Sequence, residues 1–136
     1  MNAFLKNNCD WSGQTLINPS DLRCLFKKNN YYPSNELIKF LATFYNLQIS
    51  FSNSDIDFRV KKVLSDYPHK YFFDQFCRVS ADDNPTPFAE INDGHMVLIA
   101  TTDNHIYGVF DDFTMDFGDN YFEMLKRLYE TFYGLF

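Results

Sequence analysis

Between Val79 and Leu125 the chain contains no lysine and no arginine. Phosphate backbones and anionic lipid surfaces are held by those two residues, so this stretch opposes direct binding to nucleic acid or membrane. Cysteine is scarce too: Cys9, Cys24 and Cys77 are odd in number and far apart. That excludes a disulfide framework and any zinc pattern, and it points to a reducing compartment. Five glycines and five prolines are too few for a low-complexity chain. The longest aliphatic run, Met96 to Ala100, is far too short to span a bilayer. Met1 to Asn8 lacks the apolar stretch of a secretory signal, so the expected location is the cytoplasm. There is no glycine-rich phosphate loop, no nucleophile elbow and no paired-histidine zinc helix.

What is present is acid and aromatic. The stretch without cations holds ten carboxylates: Asp82, Asp83, Glu90, Asp93, Asp103, Asp111, Asp112, Asp116, Asp119 and Glu123. They account for the net charge of −6. Such a surface attracts a basic partner, although acids also keep an aromatic-rich chain soluble. Sixteen phenylalanines and nine tyrosines can fill a bulky core and leave some rings for contacts. A chain of 136 residues suits one domain and buries about 70% of its unfolded surface, so it needs no metal or staple to fold.

Asn18-Pro19 predicts a helix start, with Leu22, Leu25 and Phe26 as its apolar stripe and Asn29-Asn30 as its end. Pro33-Ser34 opens a second helix carrying Leu37, Ile38, Leu41, Ala42, Phe44 and Tyr45. The period then becomes two. Leu47, Ile49 and Phe51 predict one strand; Ile56, Phe58 and Val60 predict its hairpin partner. Tyr71 to Val79 reads as a third helix, and Ala81 to Thr86 as a loop. Pro87 to Ile91 reads as a short edge strand, since an edge tolerates proline. Met96 to Thr101 and Ile106 to Phe110 flank a turn at Thr102-Asp103-Asn104. Phe113, Met115 and Phe117 alternate again, and Asn120 caps a last helix through Phe122, Leu125, Leu128, Tyr129 and Phe132. The expected class is α+β: one domain over residues 1–136, an antiparallel sheet of about five to six strands against three to four helices.

Few residues invite chemistry. His69, His95 and His105 lie on different elements and none is at ligand spacing, so each reads as a surface or turn histidine. Asn53, Asp55 and Asp57 imitate the opening of a calcium loop, but Phe58 stands where glycine is needed and Leu64 where the closing glutamate is needed. Asp111, Asp112, Asp116 and Asp119 could gather for acid–base work or a hard cation; a solvent-facing strand gives the same pattern. Trp11 reads as a core anchor. Tyr31 and Tyr32 read either as packing at the second helix or as exposed contact residues.

Four segments together resemble the SUKH superfamily, in the subfamily of bacterial immunity proteins. Trp11-Ser12-Gly13 before a helix is similar to that family's opening. Phe40-Leu41-Ala42-Thr43-Phe44 running into Leu47-Gln48-Ile49 resembles its second helix and strand. Pro87-Phe88-Ala89-Glu90-Ile91 is placed like its proline-led strand, and Val97-Leu98-Ile99 through Asp103, Tyr107, Gly118 and the helix Tyr121 to Leu128 resembles its closing hairpin and helix. Where that family often has glycine, this chain has Tyr45-Asn46, Ala89 and Asn104. Asparagine replaces glycine well at a left-handed turn.

The resemblance implies a protein that binds and neutralises a cognate bacterial toxin, often a nuclease, with no catalytic residue of its own; the absence of ligand spacing and of a phosphate loop adds the expectation that no metal or cofactor is required. An acid-only stretch suits the basic surface a nuclease needs. The expected contacts are Asp82, Asp83, Asp103, Asp111, Asp112, Asp116 and Asp119, converging on one side, with Tyr107 and Phe110 as apolar anchors. The expected state is a monomer. Two other functions remain open: a small acid–base enzyme or ligand-binding domain using the Asp111 to Asp119 carboxylates, and a regulatory scaffold of the same superfamily.

Overall fold

Three of the helices begin where asparagine or serine satisfies a free backbone N–H. The computed structural model describes residues 11–50, 55–70, 84–110 and 113–133. Asn18 accepts from the Ser20 N–H at 2.8 Å and Pro19 opens α1 (Pro19–Lys28), whose Leu22 and Phe26 are buried. Ser34 accepts from the Leu37 N–H at 3.1 Å and starts α2 (Asn35–Ala42). Asn120 accepts from the N–H groups of Phe122 and Glu123, both at 3.0 Å, at the head of α4 (Tyr121–Tyr133). These are the capping contacts the sequence predicts.

Six strands form one antiparallel sheet in chain order: β1 (Gln48–Ser50), β2 (Asp55–Asp57), β3 (Thr86–Ile91), β4 (Met96–Ala100), β5 (Ile106–Phe110) and β6 (Phe113–Gly118). With four helices among the described residues, the class is α+β. Asn46 and Asn104 adopt φ of 63° and 69°, as expected of asparagine standing in for glycine. The helix expected over residues 71–79 lies outside the described residues.

Two expectations are corrected. Val60 does not continue a strand; it begins α3 (Val60–Asp66), where Val60, Val63 and Leu64 are buried. Ile56, Phe58 and Val60 keep the strand's period of two up to the first residue of the helix, so the alternation carries no mark of where the strand ends. Proline-led β3 is not an edge strand, for β2 and β4 flank it. The proline survives because β2 pairs only with Glu90 and Ile91, leaving the Pro87 end without that neighbour. The register also slips between Pro87 and Ala89. This bulge accompanies the docking of Phe88 against Phe40 of α2 and Tyr121 of α4, at 6.5 and 6.0 Å between ring centroids.

Gly108 shows how closely the sheet packs. A Cβ there would stand 2.6 Å from Met96 Sδ and 2.7 Å from Phe117 Cε2. Arg127 of α4 lies over the Phe117 ring, 5.6 Å from its centroid, so the ring has little room to retreat. Gly108→Ala is therefore expected to cost about 1–2 kcal/mol despite the better strand propensity of alanine. Urea unfolding measures it; an unchanged or raised midpoint would mean that Met96 yields freely.

Candidate protein-binding surface

The β4–β5 turn is built on Thr101. Its hydroxyl donates to the Asp103 carboxylate and accepts from the His105 N–H at 2.9 Å, while its own N–H donates to the His105 carbonyl at 2.9 Å. The turn delivers His105 to β6, where Nε2 meets Asp116 Oδ1 at 2.7 Å. The same carboxylate oxygen accepts from the Gly118 N–H at 2.8 Å. Gly118 and then His105 hold the Asp116 carboxyl below its ordinary range, and the Thr101 hydroxyl does the same for Asp103. Tyr107 sits opposite Asp116 in the β5–β6 register and stacks on His105 at 4.6 Å. Burial pushes its phenol up, helped by the charges of Asp116 and Asp103. Asp103, Tyr107 and Asp116 are thus brought together, and His105 joins them. The sequence offered no signal for that fourth member, because a contact across a strand register is not a local pattern.

Phe110 stands three residues further along β5, about 10 Å from Tyr107 at the usual strand rise. It is 36% exposed and pairs with Phe113, 53% exposed, at 5.0 Å between centroids. Of the alternating Phe113, Met115 and Phe117, only Phe117 is buried. The candidates therefore mark two ends of one hairpin and do not form one cluster. Asp111 and Asp112 join Phe110 to Phe113 in sequence, but they lie outside the described residues, as do Asp82 and Asp83.

Asp119 occupies a third place. It borders a cavity of about 520 Å³ walled by Trp11, Phe40, Tyr121 and Phe122, with Glu36 and Lys39 at hand. Asp116 is not among its lining residues. Trp11 is the core anchor expected: it stacks on Phe44 at 5.5 Å and meets Phe122 edge-on at 6.2 Å. Gly13, at φ 80°, lies against its indole, where a Cβ would come within 3.2 Å of the ring. Tyr31 is fully buried, and its hydroxyl donates to the Tyr67 carbonyl at 2.7 Å; Tyr32 is 56% exposed.

One cluster escaped the sequence reading altogether. Glu90, counted there among the surface acids, is 1% exposed on β3. Lys62 of α3 reaches it at 2.8 Å and also reaches Asp66 at 3.0 Å. Burial raises the Glu90 carboxyl, and the adjoining Asp66 raises it further against the pull of Lys62. The hydrogen bond from Glu90 holds Asp66 low. Beside Glu90 in the register, buried Asp57 accepts from Arg59 Nε at 3.0 Å with each oxygen and from Nη2 at 2.7 Å. One lysine thus serves Glu90 and Asp66 together while Arg59 serves Asp57, and the Lys62–Glu90 contact ties α3 to the sheet.

Among the described residues no three histidine, cysteine, aspartate or glutamate side chains gather to hold a metal, and no helix is long and apolar enough to cross a membrane. The chain matches no protein-family model, no curated protein and no solved structure.

Proposed function

We infer that this chain is a protein-binding module that covers a basic surface of another protein. In line with the SUKH resemblance, that role is an immunity protein's: it neutralises a cognate bacterial toxin, of which a nuclease is the expected kind, inside the cytoplasm of the cell that makes both. One observation carries the reading. Phe110 and Phe113 are exposed and in contact on a hairpin whose stretch of chain has ten acids and no cation. Solvent-facing aromatic pairs are costly to leave bare, and at interfaces such rings supply the anchor while surrounding charge supplies attraction.

Asp111→Lys with Asp112→Lys tests it, against the partner pulled down from the native host with the unaltered chain. Association at low salt is expected to slow about tenfold or more, with unfolding unchanged. Cells carrying the variant lose protection. Full protection together with an unchanged, salt-independent association rate would make the acids merely solubilising.

A further inference from the structure

The two edges of the sheet are unequal. β1 is three residues long and pairs with β2 over those three. β6 spans six, pairs with β5, and has no second neighbour among the described residues. In an antiparallel ladder alternate residues turn their N–H and C=O away from the partner, so about three residues of β6 present an open rank of donors and acceptors. Sheets ordinarily blunt such an edge with lysine, proline or a covering segment. Phe113-Thr114-Met115-Asp116-Phe117-Gly118 contains no lysine, arginine or proline. Phe113, Thr114 and Asp116 are exposed and Met115 is half-buried.

The two faces of this edge differ in chemistry. Cross-strand partners share a face, which places Asp116 with Tyr107 and Thr114 with Val109 on one side. Met115 with Gly108, and Phe113 with Phe110, lie on the other. One side of the edge is acidic and polar, the other apolar, with the period of a strand.

We propose that β6 accepts an extended segment of the partner protein as a seventh strand, one in which lysine or arginine alternates with apolar residues. Cations of that segment lie over Asp116 and Tyr107, and its apolar side chains lie over Phe113 and Met115. This rests on the basic-partner reading above and adds the manner of binding. A second copy of the chain is the weaker occupant. It would set two molecules of net charge −6 edge to edge, with an Asp116 from each and no cation in β6 to offset them.

The probe is an acetylated, amidated peptide of about nine residues alternating lysine and valine. It is added to the full isotope-labelled chain, and amide hydrogen exchange is read by NMR. At saturation, exchange of alternate β6 amides should slow about tenfold or more, while versions with proline at the central valine or glutamate for every lysine leave it unchanged. Binding of the proline version as tightly as the parent, with shifts at Asp103 and Asp116 and no β6 protection, overturns strand addition while leaving the basic-partner reading intact. Equal protection by the glutamate version overturns the basic character of the segment. Protection of β6 that rises with protein concentration alone makes a second copy the occupant. A lysine peptide that does not bind overturns the proposal outright.

Discussion

Phe40→Ala is expected to lower the unfolding free energy by about 4 kcal/mol, within the usual range for a buried phenylalanine. The ring is 5% exposed and meets five others: Phe44 at 4.7 Å, Tyr121 at 5.0 Å, Phe122 at 5.5 Å, Phe58 at 5.9 Å and Phe88 at 6.5 Å. Those rings belong to the C-terminal side of α2, the approach to α3, the bulge of β3 and the first turn of α4. Truncation removes a side chain that touches all four places. Phe40 also lines the open 520 Å³ pocket, so the space left behind joins that opening and the remaining rings have a wider gap to close. Urea unfolding with an unchanged m-value measures the loss. Phe113→Ala is the control: at 53% exposure it should stay within about 0.5 kcal/mol. A loss below about 1 kcal/mol for Phe40→Ala would mean that the aromatic cluster repacks as a unit.

How much of this was legible in the sequence depended on how local each cause is. Asn18, Ser34 and Asn120 satisfy N–H groups two or three residues away, so the heads of α1, α2 and α4 could be read directly. Asn46 and Asn104 announce left-handed turns by residue type alone. By contrast, α3 begins at Val60 after Arg59, whose side chain makes no capping bond, and nothing marked the change of period there. Pro87 was misread because its tolerance depends on how far β2 extends, a property of the assembled sheet. The candidate surface divides in the same way. Exposure of Phe110 follows from its place at the end of β5, whereas the His105–Asp116 contact needs the β5–β6 register. Glu90 was the hardest case. An acid inside an apolar strand reads as solvent-facing until its counter-ion, Lys62, is brought across from another element.

That counter-ion carries the last prediction. Lys62→Met keeps the aliphatic stem and removes the ammonium, leaving buried Glu90 beside Asp66 without its cation. Near neutral pH the expected loss of stability is about 3 kcal/mol, the low end for breaking a buried pair, because Lys62 is partly exposed and Glu90 can escape by taking up a proton. The pH dependence follows from the signs. Glu90 has a raised pKa in the folded protein, so its contribution is complete below its unfolded value and is lost as pH rises through the folded one. Without Lys62 that pKa rises further, and the variant goes on losing stability with pH over a wider interval than the parent. In acid, neutral Glu90 needs no cation, and the gap between the two proteins narrows. Asp57 works in the opposite sense: burial pushes it up, but the bonds and charge of Arg59, with Gln48, outweigh that and hold it low, so its contribution is present above the unfolded value and disappears as pH falls through the folded one. Asp57→Asn should accordingly differ most from the parent at neutral pH and least in strong acid, with no widening as pH rises. Urea midpoints taken across the pH range separate the two variants. A Lys62→Met deficit that does not shrink as the solution is acidified would show that the lysine acts through packing against the sheet and not through the charge of Glu90.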